Sequence, residues 1–324
     1  MNHNNLRLTL VIVFIFTTTF SWLVHALSPS TENGINIPLN RWTSQRVLSH
    51  VVGNIISDAG IPVTYVNITS DEQWGAMQRG MVHFQVEIWQ PSMEKDFTAH
   101  VTKGDIVDMG THEARVTEEW WYPRFVEKYC PELPDWRTLN KCSHLFKGSI
   151  ETNKGIYYSG PWYYSDATII RALGLNYTIE RKNDAMSLWD ELKSATDEEH
   201  PILLLNWSPN WTDIDNAGKF IEFPEHAPEC SNKPEWGLNP ELADDCGNMK
   251  NGWLKKAAAP SLATSHPCVS KLIELVNFTN EMVAYAAYLV VAEEHSEENA
   301  AVIFSKKYAK EIASWVPSDC ELSS

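Results

Sequence analysis

Between Ile35 and Trp89 the chain alternates short apolar runs with amphipathic ones. Ile35–Pro38 has a strand pattern, and Trp42–Asp58 repeats its apolar residues at the spacing of an amphipathic helix. Pro62–Val66 reads as a second strand. Asp71–Arg79 predicts a helix, with Ser70 as N-cap and Gly80 at its C-terminal end. Met81–Trp89 then forms a third strand, with Glu87 near its end and Pro91 as the breaker. This β-α-β-α-β order predicts a parallel sheet with helices on its faces. Further on, Thr98–Trp121 reads as strand-rich, Arg124–Tyr129 as a short helix and Thr138–Phe146 as another. Ile156 opens a strand that leaves through Ser159-Gly160-Pro161 to Trp162. Asp166–Leu173 predicts a helix with Ser165 available as N-cap and Gly174 closing it. Ala185–Thr196 is helical. Ile202–Leu205 is a buried strand stopped at Asn206-Trp207 and broken by Ser208-Pro209. Phe220–Met249 is irregular and Pro-rich, and Pro267–Trp315 is helical, most clearly over Asn280–Glu293.

The first residues bear on the compartment. Arg7 precedes the apolar run Leu8–Leu23, and Val24-His25-Ala26 offers a small-residue cleavage site, so Met1–Ala26 is expected to be a secretory signal peptide. The mature chain is then expected to be secreted, extracellular or of periplasmic type, and no later run is long enough for a membrane span. Six cysteines suit an oxidising compartment. Sequential pairing is expected: Cys130–Cys142, Cys230–Cys246 and Cys268–Cys320. No cysteine or histidine cluster has zinc-ligand spacing, so no metal and no cofactor is expected. Sequons stand at Asn67, Asn176, Asn206, Asn210 and Asn277; Pro209 weakens Asn206 as an acceptor, leaving the other four as expected glycosylation sites.

A formal net charge of −16 argues against a nucleic-acid partner, which calls for basic patches. More informative is the aromatic supply, with 14 Trp, 11 Tyr and 11 Phe. Trp89, Trp162 and Trp207 all follow predicted strands and all stand close to a proline. Strand exits are where ligands bind in open α/β sheets. Aromatic faces attract a cation that has no N–H to donate, as in a quaternary ammonium group. The same rings could instead pack structurally or stack on sugars.

The motifs now take a direction. V-E-I-W-Q-P at Val86–Pro91, L-P-D-W at Leu133–Trp136, S-G-P-W at Ser159–Trp162, A-L-G-L at Ala172–Leu175, L-L-N-W-S-P-N-W at Leu204–Trp211, and D-C-G followed by G-W-L-K-K-A within Asp245–Ala257 occur in order. Together they resemble the substrate-binding proteins of glycine betaine/proline betaine/choline ABC importers, over essentially the whole mature length. The resemblance implies an α/β, two-lobed, type II periplasmic-binding-protein-like fold that closes on its ligand. Residues 27–115 with 255–324 would form one lobe and 116–254 the other. It implies a tryptophan box of Trp89, Trp162 and Trp207 around a trimethylammonium head, with the backbone N–H groups of Tyr163 and Tyr164 meeting a ligand carboxylate. Trp211 and Trp253 are further candidates, and Glu87 is a candidate counter-charge.

Two departures from the family pattern matter. Met93 stands where some betaine binders carry a carboxylate-gripping histidine, and Tyr158 and Tyr164 stand where some have cysteines bracketing the middle tryptophan. Choline and carnitine therefore stay open beside glycine betaine. An ABC permease partner is expected only if the host has a bacterial-type system. The rival readings are an extracellular matrix or interaction protein that keeps the fold without a pocket, and a glycan-binding protein. An enzyme is not expected, because no H-E-x-x-H, G-x-S-x-G or Gly-rich phosphate loop occurs. The acid pairs Glu118–Glu119 and Asp213/Asp215 read as solvated surface, and His83 as a satisfied core histidine.

Overall fold

The computed structural model describes residues 34–147, 153–162, 164–318 and 320. The expected leader, Met1–Ala26, lies outside them. Among the described residues the strands are β1 (Ile35–Leu39), β2 (Val63–Asn67), β3 (Phe84–Trp89), β4 (Val107–Pro123), β5 (Gly155–Ser159), β6 (Tyr177–Arg181), β7 (Leu204–Ser208), β8 (Gly218–Phe220) and β9 (Gly252–Ala258). The helices of the first half are α1 (Thr43–Asp58), α2 (Glu72–Gln78), α3 (Gln90–Lys103), α4 (Leu139–Cys142), α5 (Asp166–Ala172) and α6 (Ala185–Asp197). Those of the second are α7 (Trp211–Ile214), α8 (Leu262–Ser265), α9 (Pro267–Leu275), α10 (Asn280–Val291), α11 (Glu297–Lys307) and α12 (Ala309–Trp315).

The expected parallel βαβ unit is present. β1 and β2 pair in parallel, with Ile35 opposite Val63, and α1 crosses between them with Val47, Leu48, Val51, Val52 and Ile56 on its buried face. β3 departs from that expectation. It sits beside β1 through the His83 N–H, which donates to Asn36 O at 2.9 Å, yet its ladder partner is β9, antiparallel. The Asn36 N–H in turn donates to His83 Nδ1 at 2.8 Å, which makes His83 a satisfied core histidine.

A second departure follows Trp89. Pro91 does not end the local structure; it falls in the first turn of α3, where its missing N–H costs nothing and its fixed φ suits a helix. The helix then runs through residues 98–103, read from sequence as strand-rich. It stops at Gly104, whose φ of 75° is the left-handed C-cap that glycine accepts without strain.

β4 is the longest strand, 17 residues. As far as Val116 it pairs antiparallel with β9, and from Thr117 onward with β7 and then β8. β5 pairs in parallel with β6 and β7, giving the order β3-β9-β4-β7-β5-β6 with β8 beside β4. Trp120, Tyr122, Tyr157 and Tyr177 fill the core under that second half, Trp120 stacking on Tyr157 at 3.9 Å between ring centroids. Disulfides join Cys130 to Cys142, Cys230 to Cys246 and Cys268 to Cys320. The second closes the irregular segment between β8 and β9, which holds only short 3-10 turns at Pro228–Ser231 and Pro234–Trp236.

Candidate functional site

Four tryptophans stand at the carboxyl ends of strands or at the helix starts that follow them. Trp42 is the N-cap residue of α1, shortly after β1, and Trp89 ends β3. Trp162 follows β5, and Trp207 is the fourth residue of β7. Together with Ser92, Met93, Glu118 and Tyr164 they line one cavity of about 260 Å3 of unfilled space, part of it open to solvent, which continues into a wider cleft. The cleft continues past Ser70, Trp74, Lys95, His226 and Asn248.

The indole planes meet at steep angles, as the walls of a box do. Trp42 and Trp162 lie 6.4 Å apart at 77°, and Trp162 and Trp207 lie 5.4 Å apart at 83°. Local sequence explains why the rings stay put. The Trp162 ring folds back over Gly160, so closely that a Cβ there would sit 2.0 Å from it; position 160 must be glycine. Arg181 holds the same turn, donating to the carbonyls of Gly160 at 3.1 Å and Trp162 at 3.2 Å. Behind Trp207, Trp189 packs at 5.1 Å. Asn206 and Asn210 build the turn beneath: Asn210 Nδ2 donates to Asn206 Oδ1 at 2.8 Å, and Asn206 Nδ2 donates to Thr212 Oγ1 at 2.9 Å.

Carboxylates supply the electrostatics. Glu118 lies directly across the ladder from Trp207. Its Oε1 accepts from Tyr164 Oη at 2.8 Å and Ser92 Oγ at 3.1 Å, while its buried Oε2 has no hydrogen-bond partner among the described residues. Burial pushes its carboxyl up to about 7, against the opposing pull of those hydrogen bonds. Next in sequence, Glu119 accepts the N–H groups of Trp120 at 2.9 Å and Asn248 at 2.8 Å, and burial raises it to about 7 as well. The reading of Glu118–Glu119 as a solvated pair is thus corrected: they are 5% and 1% exposed. In a fully paired central strand both residues of an acid pair can be buried, one on each face. Asp213, in contrast, does sit on the surface, in the α7 capping box with Asn210.

Glu87 is fully buried and does not line the cavity. It holds two box rings from behind: its Oε2 accepts from Trp42 Nε1 at 2.8 Å, Trp89 Nε1 at 3.0 Å and Ser44 Oγ at 3.1 Å.

Other candidates fall away from the cavity. Trp211 is half-buried and packs on Trp189 at 5.7 Å. Trp253 packs on Phe97 at 5.4 Å beneath Lys255. Tyr158 is buried under Lys182. Tyr163 lies outside the described residues. Tyr164 is in the cavity, through its ring and hydroxyl. Ser165 makes no side-chain cap, and the first turn of α5 already contains Asp166, which accepts from Trp120 Nε1 and Ser159 Oγ. No Lys, Arg or His lines the cavity among the described residues.

Reading by motif missed Trp42 and Glu118. Trp42 had a signal, since it too follows a strand and opens a helix, but no proline marks it. Glu118 had none that separates it from a surface acid.

Residues 33–307 match the family model for the substrate-binding domain of ABC-type glycine betaine transport systems. The chain belongs to that family. It is a family of substrate-binding domains, not of enzymes. A trimethylamine N-oxide-binding protein from Pelagibacter ubique (strain HTCC1062) is 34% identical over 297 residues, covering 89% of this chain and 91% of the relative. Among solved structures, the glycine betaine/L-proline-binding protein ProX from Borrelia burgdorferi superposes with a TM-score of 0.68 at 16% identity, covering 89% of this chain and 98% of that one. An ABC-transporter choline-binding protein in complex with choline gives 0.65 at 14%, covering 86% and 91%. These likenesses establish the α/β periplasmic-binding-protein-like fold. No helix of the described residues is long and apolar enough to cross a membrane.

Proposed function

We propose that this protein captures a small trimethylated amine in the tryptophan box, with trimethylamine N-oxide its preferred ligand over choline, carnitine and glycine betaine. The observation that carries this is the pairing of four indole walls with a single free carboxyl oxygen, Glu118 Oε2, in a cavity without a cationic side chain. Four desolvated cation–π contacts of about 1–2 kcal/mol each supply roughly 4–8 kcal/mol, millimolar to micromolar binding before any polar contact is added.

The polar contact selects the ligand. Ser92 and Tyr164 direct their hydroxyl protons to Glu118 Oε1, so among the lining hydroxyl and carboxyl groups the donor left for a ligand is the Glu118 carboxyl itself when protonated. It suits an N-oxide oxygen. A betaine carboxylate would meet an acid there with no arginine, lysine or histidine to hold it, in keeping with Met93 at the position where some betaine binders carry histidine. The name of the 34% identical relative supports the same choice.

In this reading residues 27–115 with 255–324 and residues 116–254 are two lobes, connected through β4 and β9. The protein is secreted after loss of its leader, with glycans at Asn67, Asn176 and Asn277. Asn210, the fourth expected acceptor, is buried and is left out. A permease partner follows only in a host with a bacterial-type transporter.

Calorimetry on the mature protein with trimethylamine N-oxide, choline, carnitine and glycine betaine tests the proposal. Trimethylamine N-oxide should bind most tightly and glycine betaine at least tenfold more weakly. Heat from none of the four would remove the function, and a preference for glycine betaine would remove the role given to Glu118.

A further inference from the structure

Glu87 is an expensive residue for what it visibly does. Two indole N–H groups and one hydroxyl converge on its Oε2, while Oε1 is buried without a hydrogen-bond partner among the described residues. No cation is among its described hydrogen-bond partners or the groups that act on its charge. Burial raises its carboxyl to about 7, so the carboxylate is the form present above that pH, where the test below is made. Orienting two indoles needs only an acceptor oxygen, which a glutamine would provide with no charge to bury. A buried carboxyl kept without a counter-ion is the kind of perturbed group that gathers at functional sites.

Its place in the fold says what the missing counter-ion is. Trp42 and Trp89 line the cavity and turn their indole N–H groups to Glu87. A carboxylate bound to an indole N–H feeds electron density into the ring and deepens the negative potential of its face. In a water-poor setting its own field also reaches across the ring with little screening. We propose that the Glu87 carboxylate is the counter-charge of the aromatic box, acting on the ligand cation through the two indoles it holds and not by contact. Glu87 is therefore a positioning and polarising residue, and half the box is tuned for positive charge, not merely for trimethyl shape. This rests on the reading of the cavity as a trimethylamine site.

The test compares wild type, Glu87→Gln and Glu87→Leu, titrated with trimethylamine N-oxide, with tetramethylammonium and with the uncharged isostere tert-butanol, followed by tryptophan fluorescence. Glu87→Gln retains an acceptor for the indoles and loses the charge. It should weaken tetramethylammonium and trimethylamine N-oxide about tenfold, equivalent to about 1.4 kcal/mol, and change tert-butanol less than twofold. Its midpoint of urea unfolding should not fall, because a buried charge has been removed. Glu87→Leu removes the acceptor too and should weaken all three ligands. Equal losses for tetramethylammonium and tert-butanol in Glu87→Gln, or no loss for tetramethylammonium, would overturn the proposal while leaving the site assignment standing. Failure of the wild type to bind either tetramethylammonium or trimethylamine N-oxide would overturn both.

Discussion

Replacing Glu118 by glutamine isolates a single carboxyl at the cavity and makes a quantitative demand on it. In the folded protein burial raises this group from 4.5 to about 7. The sign follows from linkage. A group with a raised folded pKa binds its proton more tightly when folded, so its stabilisation is complete below about 4.5 and is lost as pH climbs through about 7. The difference between the two pKa values corresponds to roughly 3 kcal/mol given up by the wild type once the group is fully ionised. Glutamine can still accept from Tyr164 and Ser92 and carries no charge to bury. The stability of Glu118→Gln relative to wild type should therefore grow by about 2–3 kcal/mol between about pH 5 and pH 8.5. Urea unfolding of the ligand-free proteins at those two pH values reads this directly. The histidines and the other buried acids cancel, because they titrate alike in both proteins. A difference that stays constant with pH, or shrinks as pH rises, would refute the description of Glu118 as a desolvated carboxyl.

Three further outcomes are expected. Trp42→Ala should weaken binding of trimethylamine N-oxide by about 2–30-fold in calorimetry, the range of one cation–π contact, although no proline motif marks that residue. Tyr164→Phe deletes one donor to Glu118 Oε1 without opening a cavity. The Glu118 carboxyl should then titrate higher by carbon-13 NMR, because a hydrogen bond favouring the ionised form has gone. Peptide mapping of protein secreted from a glycosylating host should find Asn206 and Asn210 unmodified, and the exposed Asn67 and Asn176 occupied.

Much of the site was legible because strand exits are. Trp89, Trp162 and Trp207 each end an apolar run beside a turn residue, and the three-dimensional cavity gathers those three. Pattern reading failed where one residue type serves two local structures. Pro91 breaks a strand and equally starts a helix, and only the packing of Met93 and Phe97 on the core makes it the start of α3. It also failed where burial depends on partners distant in sequence. Glu118 is hidden by Trp207, Ser92 and Tyr164, which stand 89, 26 and 46 residues away, and nothing near 118 announces them. Trp211 and Trp253 erred in the other direction. Each sits in a motif shared with the family, yet each packs on an aromatic ring that does not itself line the cavity.

The change of ladder partner within β4 has a geometric consequence. Between Val116 and Thr117 one strand passes from β9 to β7, so it is anchored on both sides of that junction. Glu118 rides two residues beyond the junction, whereas Ser92, on α3, belongs to the side before it. The 3.1 Å Ser92–Glu118 hydrogen bond therefore spans that junction, tying the carboxyl that faces the cavity from the β7-paired half of β4 to the helix that follows β3.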